Sequence, residues 1–293
     1  MHPGDAACFG PATVVAVGGV SLTMVSFLFW NLYKKPLLDQ VERLARSQNI
    51  DILMLAECAI DPPEIEERLR RTVDDSFSLS RSDGGKTQVY TRLPGNSITE
   101  EFNDPFGGLT IRRVEVGDPP GIMLAVVHLP SRVKWDKEDQ VLQMTSLVND
   151  IVNTEDKLAH RRTILVGDLN MNPFDAGVVG AQALHAVMTR GLARREERIV
   201  LGRAHRLFYN PMWNLFGDRT VGPPGTYYHR ASNPGNVFWN IYDQVLLRPS
   251  LMDALVDLEI LTTDGQGDLV TKTGLPNKSL YSDHLPILFR LAL

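Results

Sequence analysis

The 293-residue chain is poor in cysteine: Cys8 and Cys58 are too few for a disulfide framework, and no Cys/His spacing resembles a zinc site. It has no excess of basic charge. Its 30 Lys and Arg stand against 35 Asp and Glu, a formal net charge of −5, which excludes a general polyanion-coating protein. Internal repeats and low-complexity linkers are missing, and the apolar and charged fractions exclude collagen-like, coiled-coil and wholly disordered chains. There is no Gly-rich phosphate loop and no Gly-x-Ser-x-Gly elbow. Nucleotide-driven work and acyl transfer are therefore unsupported, and no nucleotide cofactor is expected. Residues 6–33 lack any charged side chain, a length that raises the question of a membrane span. Against that reading, Pro11, Gly18 and Gly19 interrupt the stretch, and no Lys or Arg precedes it as a signal peptide requires. The expectation is a cytoplasmic protein, with secretion or membrane association left open by that stretch.

Short apolar runs alternate with amphipathic ones along the chain. Thr13–Val17 and Val20–Val25 flank a Gly-Gly pair as in a hairpin; alternatively Met24 is the start and residues 1–23 are a loosely ordered leader. Either way, residues 24–293 read as one domain. Strands are expected at Val25–Phe29, Ile52–Ala56, Thr87–Thr91, Leu109–Val116, Ile122–Val127, Thr163–Val166, Tyr242–Leu247 and Leu285–Leu291. Helices are expected from Pro36, from Asp136 to about Leu158, and across Val178–Met188. Strands and helices mixed over the whole length argue for an α/β fold with layered sheets. The segment 203–240 is rich in Gly, Pro, Asn and aromatics and reads as a long functional loop, or as a surface excursion stapled by its own rings.

The informative pattern is where polar residues fall. Apolar runs stop at Asn31, Glu57, His128 and Asp168, the last followed by Asn170. Tyr242 leads into Asp243, and Asp283-His284 precedes the apolar Leu285–Phe289. A sheet gathers its strand ends along one edge, where ligands of α/β proteins bind. The expected cluster of amides, carboxylates and two imidazoles suits a hard divalent cation, Mg²⁺ or Mn²⁺, and the neutralisation of phosphoryl charge. Cys58, beside Glu57, reads as a small core residue rather than a nucleophile.

Together, Trp30-Asn31, Glu57, His128-Leu129, Gly167-Asp168-Leu169-Asn170 with Asn172-Pro173, Tyr242-Asp243-Gln244-Val245 and Ser282-Asp283-His284 resemble, in order, the motifs of the endonuclease/exonuclease/phosphatase superfamily. That is the family of DNase I, exonuclease III-type abasic-site endonucleases, neutral sphingomyelinases and inositol-polyphosphate 5-phosphatases. The resemblance implies a four-layer α/β sandwich, two packed mixed β-sheets flanked by helices, and metal-dependent phosphoester hydrolysis. It implies Glu57 as principal metal ligand with Asn31 beside it and Asp283 as a further metal-side carboxylate. Asp168 and Asn170 would orient or deprotonate the attacking water. His284, held by Asp243, would contact the scissile phosphate, and His128 would stand near the phosphate or leaving group.

The substrate must be read from the surroundings. Arg132 and Lys134 follow the His128 strand end directly, and the aromatic loop, with Tyr227 and Trp239, leads into Asp243. These four are the expected substrate-binding residues. Arg68–Arg71, by contrast, read as i,i+4 partners of nearby Glu on a helix face. A nuclease on DNA or RNA is the first expectation. Phosphoinositides, inositol phosphates, sphingomyelin-like phospholipids or nucleotides are the alternative substrates. A non-catalytic binding module would show substituted motif residues, and none is substituted.

Overall fold

The computed structural model describes residues 14–17, 20–82, 85–117, 119–131, 137–230 and 235–293. The chain runs through β1 (Val14–Val17), β2 (Val20–Asn31), α1 (Leu38–Ser47), β3 (Ile52–Ala56), α2 (Pro62–Thr72), β4 (Ser78–Ser80) and β5 (Thr87–Thr91). It continues through β6 (Ile98–Asn103), β7 (Leu109–Val114), β8 (Ile122–His128), α3 (Lys137–Leu158) and β9 (Thr163–Asp168). Short pieces follow: α4 (Ala176–Val179), β10 (Ala186–Val187), α5 (Arg190–Ala193), β11 (Glu197–Val200), β12 (Arg203–Arg206), β13 (Phe208–Tyr209), a 3-10 turn over Pro211–Leu215, β14 (Tyr227–Tyr228) and β15 (Trp239–Asn240). The chain closes with β16 (Asp243–Leu247), β17 (Leu255–Ile260) and β18 (Ile287–Ala292).

Two large mixed sheets result. One has the order β17-β18-β2-β3-β5-β4 with β1 added on β2; the other runs β10-β13-β16-β9-β8-β7-β6. The parallel pairs β2–β3 and β8–β9 are each joined by a helical crossover, α1 and α3. The period of two along β8 sorts its side chains to two cores. Leu124 and Val126 join the core shared with Phe27, Phe29 and Met54 of the other sheet. Met123, Ala125 and Val127 turn outward against Met144, Leu147 and Ile151 of α3. On the far side, Val41 and Leu44 of α1 and Ile65 and Leu69 of α2 cover the first sheet. Helix, sheet, sheet, helix is the expected four-layer sandwich.

The differences are local. No helix spans Val178–Met188: α4 stops at Val179, where Gly180 turns extended and a Cβ would meet the Ala176 carbonyl oxygen at 2.5 Å. Ala183 and Leu184 are buried there by irregular backbone, so their apolar spacing imitated a helix. The last strand starts at Ile287, because Leu285 N–H donates instead to Thr226 O and Pro286 has no N–H. Arg68 reaches across to Asp39 and Glu42 of α1, at 2.7 and 3.0 Å, rather than along its own helix. The uncharged stretch enters β2, whose residues Val25–Asn31 are all buried. No described helix is long and apolar enough to cross a membrane.

Candidate active site

Register alone brings the polar strand ends together. Asn31 lies beside Ala56, so Glu57 follows it at the same edge. In the other sheet His128 is paired with Asp168, and Asp168 with Asp243. Gly167 makes the close approach of β8 and β9 possible: it sits at φ +145°, and a Cβ there would lie 1.9 Å from the Val127 carbonyl oxygen. The edge of each sheet thus carries acids, and side chains tie the two edges together.

Asn31 is the tie. Its Nδ2 donates to Asp168 Oδ2 at 3.0 Å and reaches Glu57 Oε1 at 3.5 Å, while its Oδ1 accepts from Tyr33 N at 2.9 Å. His128 Nε2 adds a second cross-sheet contact, 3.4 Å from Glu57 Oε1. That hydrogen bond, with Asn31, outweighs partial burial and holds the Glu57 carboxyl below its ordinary value. Asn170 N donates to Asp168 Oδ1 at 2.8 Å, and its own Nδ2 donates to Leu129 O. Burial pushes the Asp168 carboxyl up, with neighbouring Asp243 adding to the effect.

His284 enters from the loop before β18. Its Nδ1 is 2.8 Å from Asp243 Oδ2, its N–H donates to Ser282 Oγ, and its carbonyl accepts from Trp30 Nε1 at 2.9 Å. Burial alone would strip the imidazole of its proton, but Asp243 and Asp168 outweigh it and raise the pKa to about 10. Its Nε2 lies 4.0 Å from Asp168 Oδ2. Tyr227 packs its ring 4.8 Å from the imidazole, and burial and Asp283 push its phenol up.

These residues open into a cleft of about 900 Å³, lined among others by Glu57, His128, Asp168, Asn170, Asp283 and His284. Asn31 and Asp243 stand buried behind them, so all eight expected catalytic residues meet at one rim. Of the expected substrate contacts, Tyr227 lines the cleft. Trp239 does not appear in its wall; its ring lies 5.3 Å from Tyr228 instead. Arg132 and Lys134 lie outside the described residues. Cys58 is half-buried with its thiol pushed up by burial, so it stays protonated.

The donors fit a hard cation. Asp283 Oδ1 is buried with no hydrogen-bond partner among the described residues, and Glu57 is an ionised carboxylate beside the cleft. Asp168, Asp243 and His284 also place ligand atoms within 4.8 Å of one another. Among the described lining residues, Glu57, Asp168, Asp175 and Asp283 face Lys86 alone of Lys and Arg. Lys278 Nζ, 3.3 Å from Asp283 Oδ2, and the protonated His284 add positive charge at the rim, and a divalent cation would balance the remaining carboxylates against an incoming phosphate.

Sequence reasoning did not reach Thr226, whose Oγ1 accepts from both Tyr242 N and Asp243 N at 3.2 Å. It also passed over Asn240, which accepts from Asn172 Nδ2 at 2.8 Å, and Phe174, Tyr33 and Lys86 in the cleft wall. The only sequence signal was the Gly-Thr of Gly225-Thr226, where a Cβ on the glycine would meet Asn240 O at 2.6 Å.

The Endonuclease/Exonuclease/phosphatase family profile matches residues 28–284. No curated protein sequence matches the chain. Similar solved structures include the 3'-5' exonuclease (NExo) from Neisseria meningitidis, with 15% identity over 92% of this chain and 100% of that one and a TM-score of 0.56. Truncated Caenorhabditis elegans TDP2 has 16% identity over 92% and 98%, TM-score 0.54. An AP endonuclease from Archaeoglobus fulgidus has 14% identity over 92% and 100%, TM-score 0.53. At these identities the structures establish the shared fold.

Proposed function

Since this chain belongs to the endonuclease/exonuclease/phosphatase family, a family of phosphoric ester hydrolases, we propose that it is a nuclease that cleaves nucleic-acid phosphodiesters with Mg²⁺ or Mn²⁺. The observation that carries this reading is the cross-sheet tie of Asn31 to Asp168 and Glu57, beside the Asp243–His284 pair. Nuclease, endonuclease and phosphatase neighbours share the fold and lend support.

Glu57 and Asp283 would hold the cation, with Asn31 fixing Glu57; bound there, it would supply positive charge to neutralise that building on the phosphoryl oxygens. His284, kept protonated by Asp243, donates from Nε2 to a phosphoryl oxygen as that charge grows. Asp168 takes the proton of the attacking water. Burial raises its basicity, while the N–H donors of Asn31 and Asn170 hold its two oxygens in place. His128 steadies Glu57 and stands near the leaving group.

A second reading, hydrolysis of a phosphoinositide or sphingomyelin-like lipid, draws on a neighbouring groove of about 820 Å³. It shares Lys86, Leu129 and Pro130 with the cleft and exposes Phe106 and Leu142. One substrate panel separates the two: plasmid, single-stranded DNA, RNA, phosphoinositide and sphingomyelin vesicles, and bis-(p-nitrophenyl) phosphate, each with Mg²⁺. Cleavage of nucleic acid that EDTA abolishes and Mg²⁺ or Mn²⁺ restores is the expected result. Turnover unaffected by EDTA contradicts the mechanism, and turnover of lipid alone replaces the substrate.

A further inference from the structure

Phe174 is an apolar ring kept in contact with solvent inside an acid-lined cleft. It lines that cleft and is 42% exposed. Its support is rigid. The rings of Trp213 and Phe216 abut it with centroids at 6.4 and 5.8 Å, inclined by 56° and 68°. The turn that carries it is pinned at both ends. Asp175 Oδ2 accepts from Asn172 N at 2.6 Å, and the Asn172 side chain bonds Asn240 Oδ1 and Ile241 N. Beneath Trp213, Asn210 caps the 3-10 turn and donates to Gln244 Oε1, whose Nε2 donates to Met171 O at 2.6 Å. An aromatic ring fixed this way loses little conformational entropy on meeting a ligand, the condition that favours stacking.

The charge around it narrows the ligand. Among the described lining residues Lys86 is the one Lys or Arg beside four carboxylates, and Lys278 Nζ is taken up by Asp283 Oδ2 at 3.3 Å. A solvent-facing ring in that wall offers attraction of another kind, to the face of a base. Inside a duplex each base face is covered by its neighbours, so away from its ends a ring can stack only on a base that has left the helix. We infer that Phe174, backed by Trp213 and Phe216, is a stacking ledge for an unpaired nucleobase next to the scissile phosphate. The preferred substrate is then single-stranded nucleic acid. This rests on the nuclease reading above and adds to it which strand state the enzyme takes.

The test uses the full chain with Asp168→Asn in Mg²⁺, so that strands bind without being cut, and short strands carrying 2-aminopurine, whose fluorescence falls on stacking. Single strands should bind with quenching, and the matching duplex at least about tenfold more weakly. Phe174→Leu keeps an apolar filler against Trp213 and Phe216 but has no aromatic face; it should lose the quenching and bind single strands roughly tenfold more weakly. Phe174→Trp should keep both. DNA and RNA strands run side by side identify the sugar, and circular dichroism confirms that each variant is folded. Equal quenching and affinity in Phe174→Leu, or a duplex bound as tightly as a single strand, overturns the ledge. Failure of the nuclease reading shows elsewhere, as no cleavage of any strand by the wild type with Mg²⁺.

Discussion

Polar residues bound the same buried strands at both ends, and the two ends treat charge differently. Asp51 precedes β3 and Glu57 follows it; β9 opens at Thr163 and closes at Asp168; β16 opens at Asp243 and is followed by Arg248. At the far end every carboxylate oxygen is satisfied. Asp51 accepts from the Ser26 N–H and hydroxyl and from Arg92 Nε, all at 2.8 Å. Glu155 accepts from Thr163, Arg206 and both Nε and Nη2 of Arg248, whose guanidinium lies 3.8 Å over the Phe208 ring. At the rim, Asp243 Oδ1, Asp283 Oδ1 and His128 Nδ1 are buried with no hydrogen-bond partner among the described residues. Closed networks hold a fold together, whereas an unfilled carboxylate valence facing a cleft can accept a ligand. His160 Nε2, away from the rim, is also buried with no hydrogen-bond partner among the described residues, so the cleft is part of the distinction. Among these carboxylates, residue type does not separate the two ends; the completeness of pairing does.

The widest expected gap is in turnover. Glu57→Gln or Asp168→Asn should lower kcat by about three orders of magnitude or more while the melting temperature holds or rises, since these acids serve chemistry. Cleavage rates beside thermal melts check this, and near-full activity in either variant breaks the comparison at the rim. Glu155→Ala should do the reverse. It leaves Arg248 buried without its carboxylate, and urea unfolding should show a loss of about 3 kcal/mol, with kcat of the folded protein retained. A variant as stable as the wild type would break the comparison at the far end.

A smaller effect sharpens it. His185 is buried away from the rim, and burial, with Arg198, pushes its pKa below 6.5. The unfolded chain therefore takes up this proton first as pH falls. The neutral ring's contribution to stability is complete above about pH 6.5 and drains away below it, levelling off beneath the folded pKa. Urea unfolding at about pH 7.5 and 5.5 should show the wild type losing about 1 kcal/mol or less more than His185→Phe. Equal losses would remove His185 from the acid response.

Much of the sandwich was legible because its strands are continuous apolar runs that end abruptly in polar residues. Ile52–Ala56 and Ile122–His128 show the whole device within seven residues or fewer. The uncharged approach to Asn31 resembled a membrane segment because β2 lies inside its sheet, between β18 and β3, where a charge would go unpaired. The rim residues were legible for the same reason, each standing where a buried run stops. The rest depended on distance along the chain. Nothing near Phe174 in sequence announces Trp213, and nothing near Asp243 announces the Thr226 hydroxyl that holds its N–H. Val178–Met188 failed on another ground: burial by irregular backbone leaves the same apolar spacing as a helix.

The indole of Trp30 donates to the carbonyl of a residue 254 positions later, and the Ser282 hydroxyl returns a bond to Asn31 across 251. At about 5–20 residues per second these halves leave the ribosome some tens of seconds apart, and β2 waits with one edge bare until β18 is laid beside it. A nascent chain halted at residue 281 already owns Glu57, Asp168 and Asp243 but neither the imidazole nor the strand that seats it. The imidazole and the strand that seats it are therefore the last pieces of the site to be made.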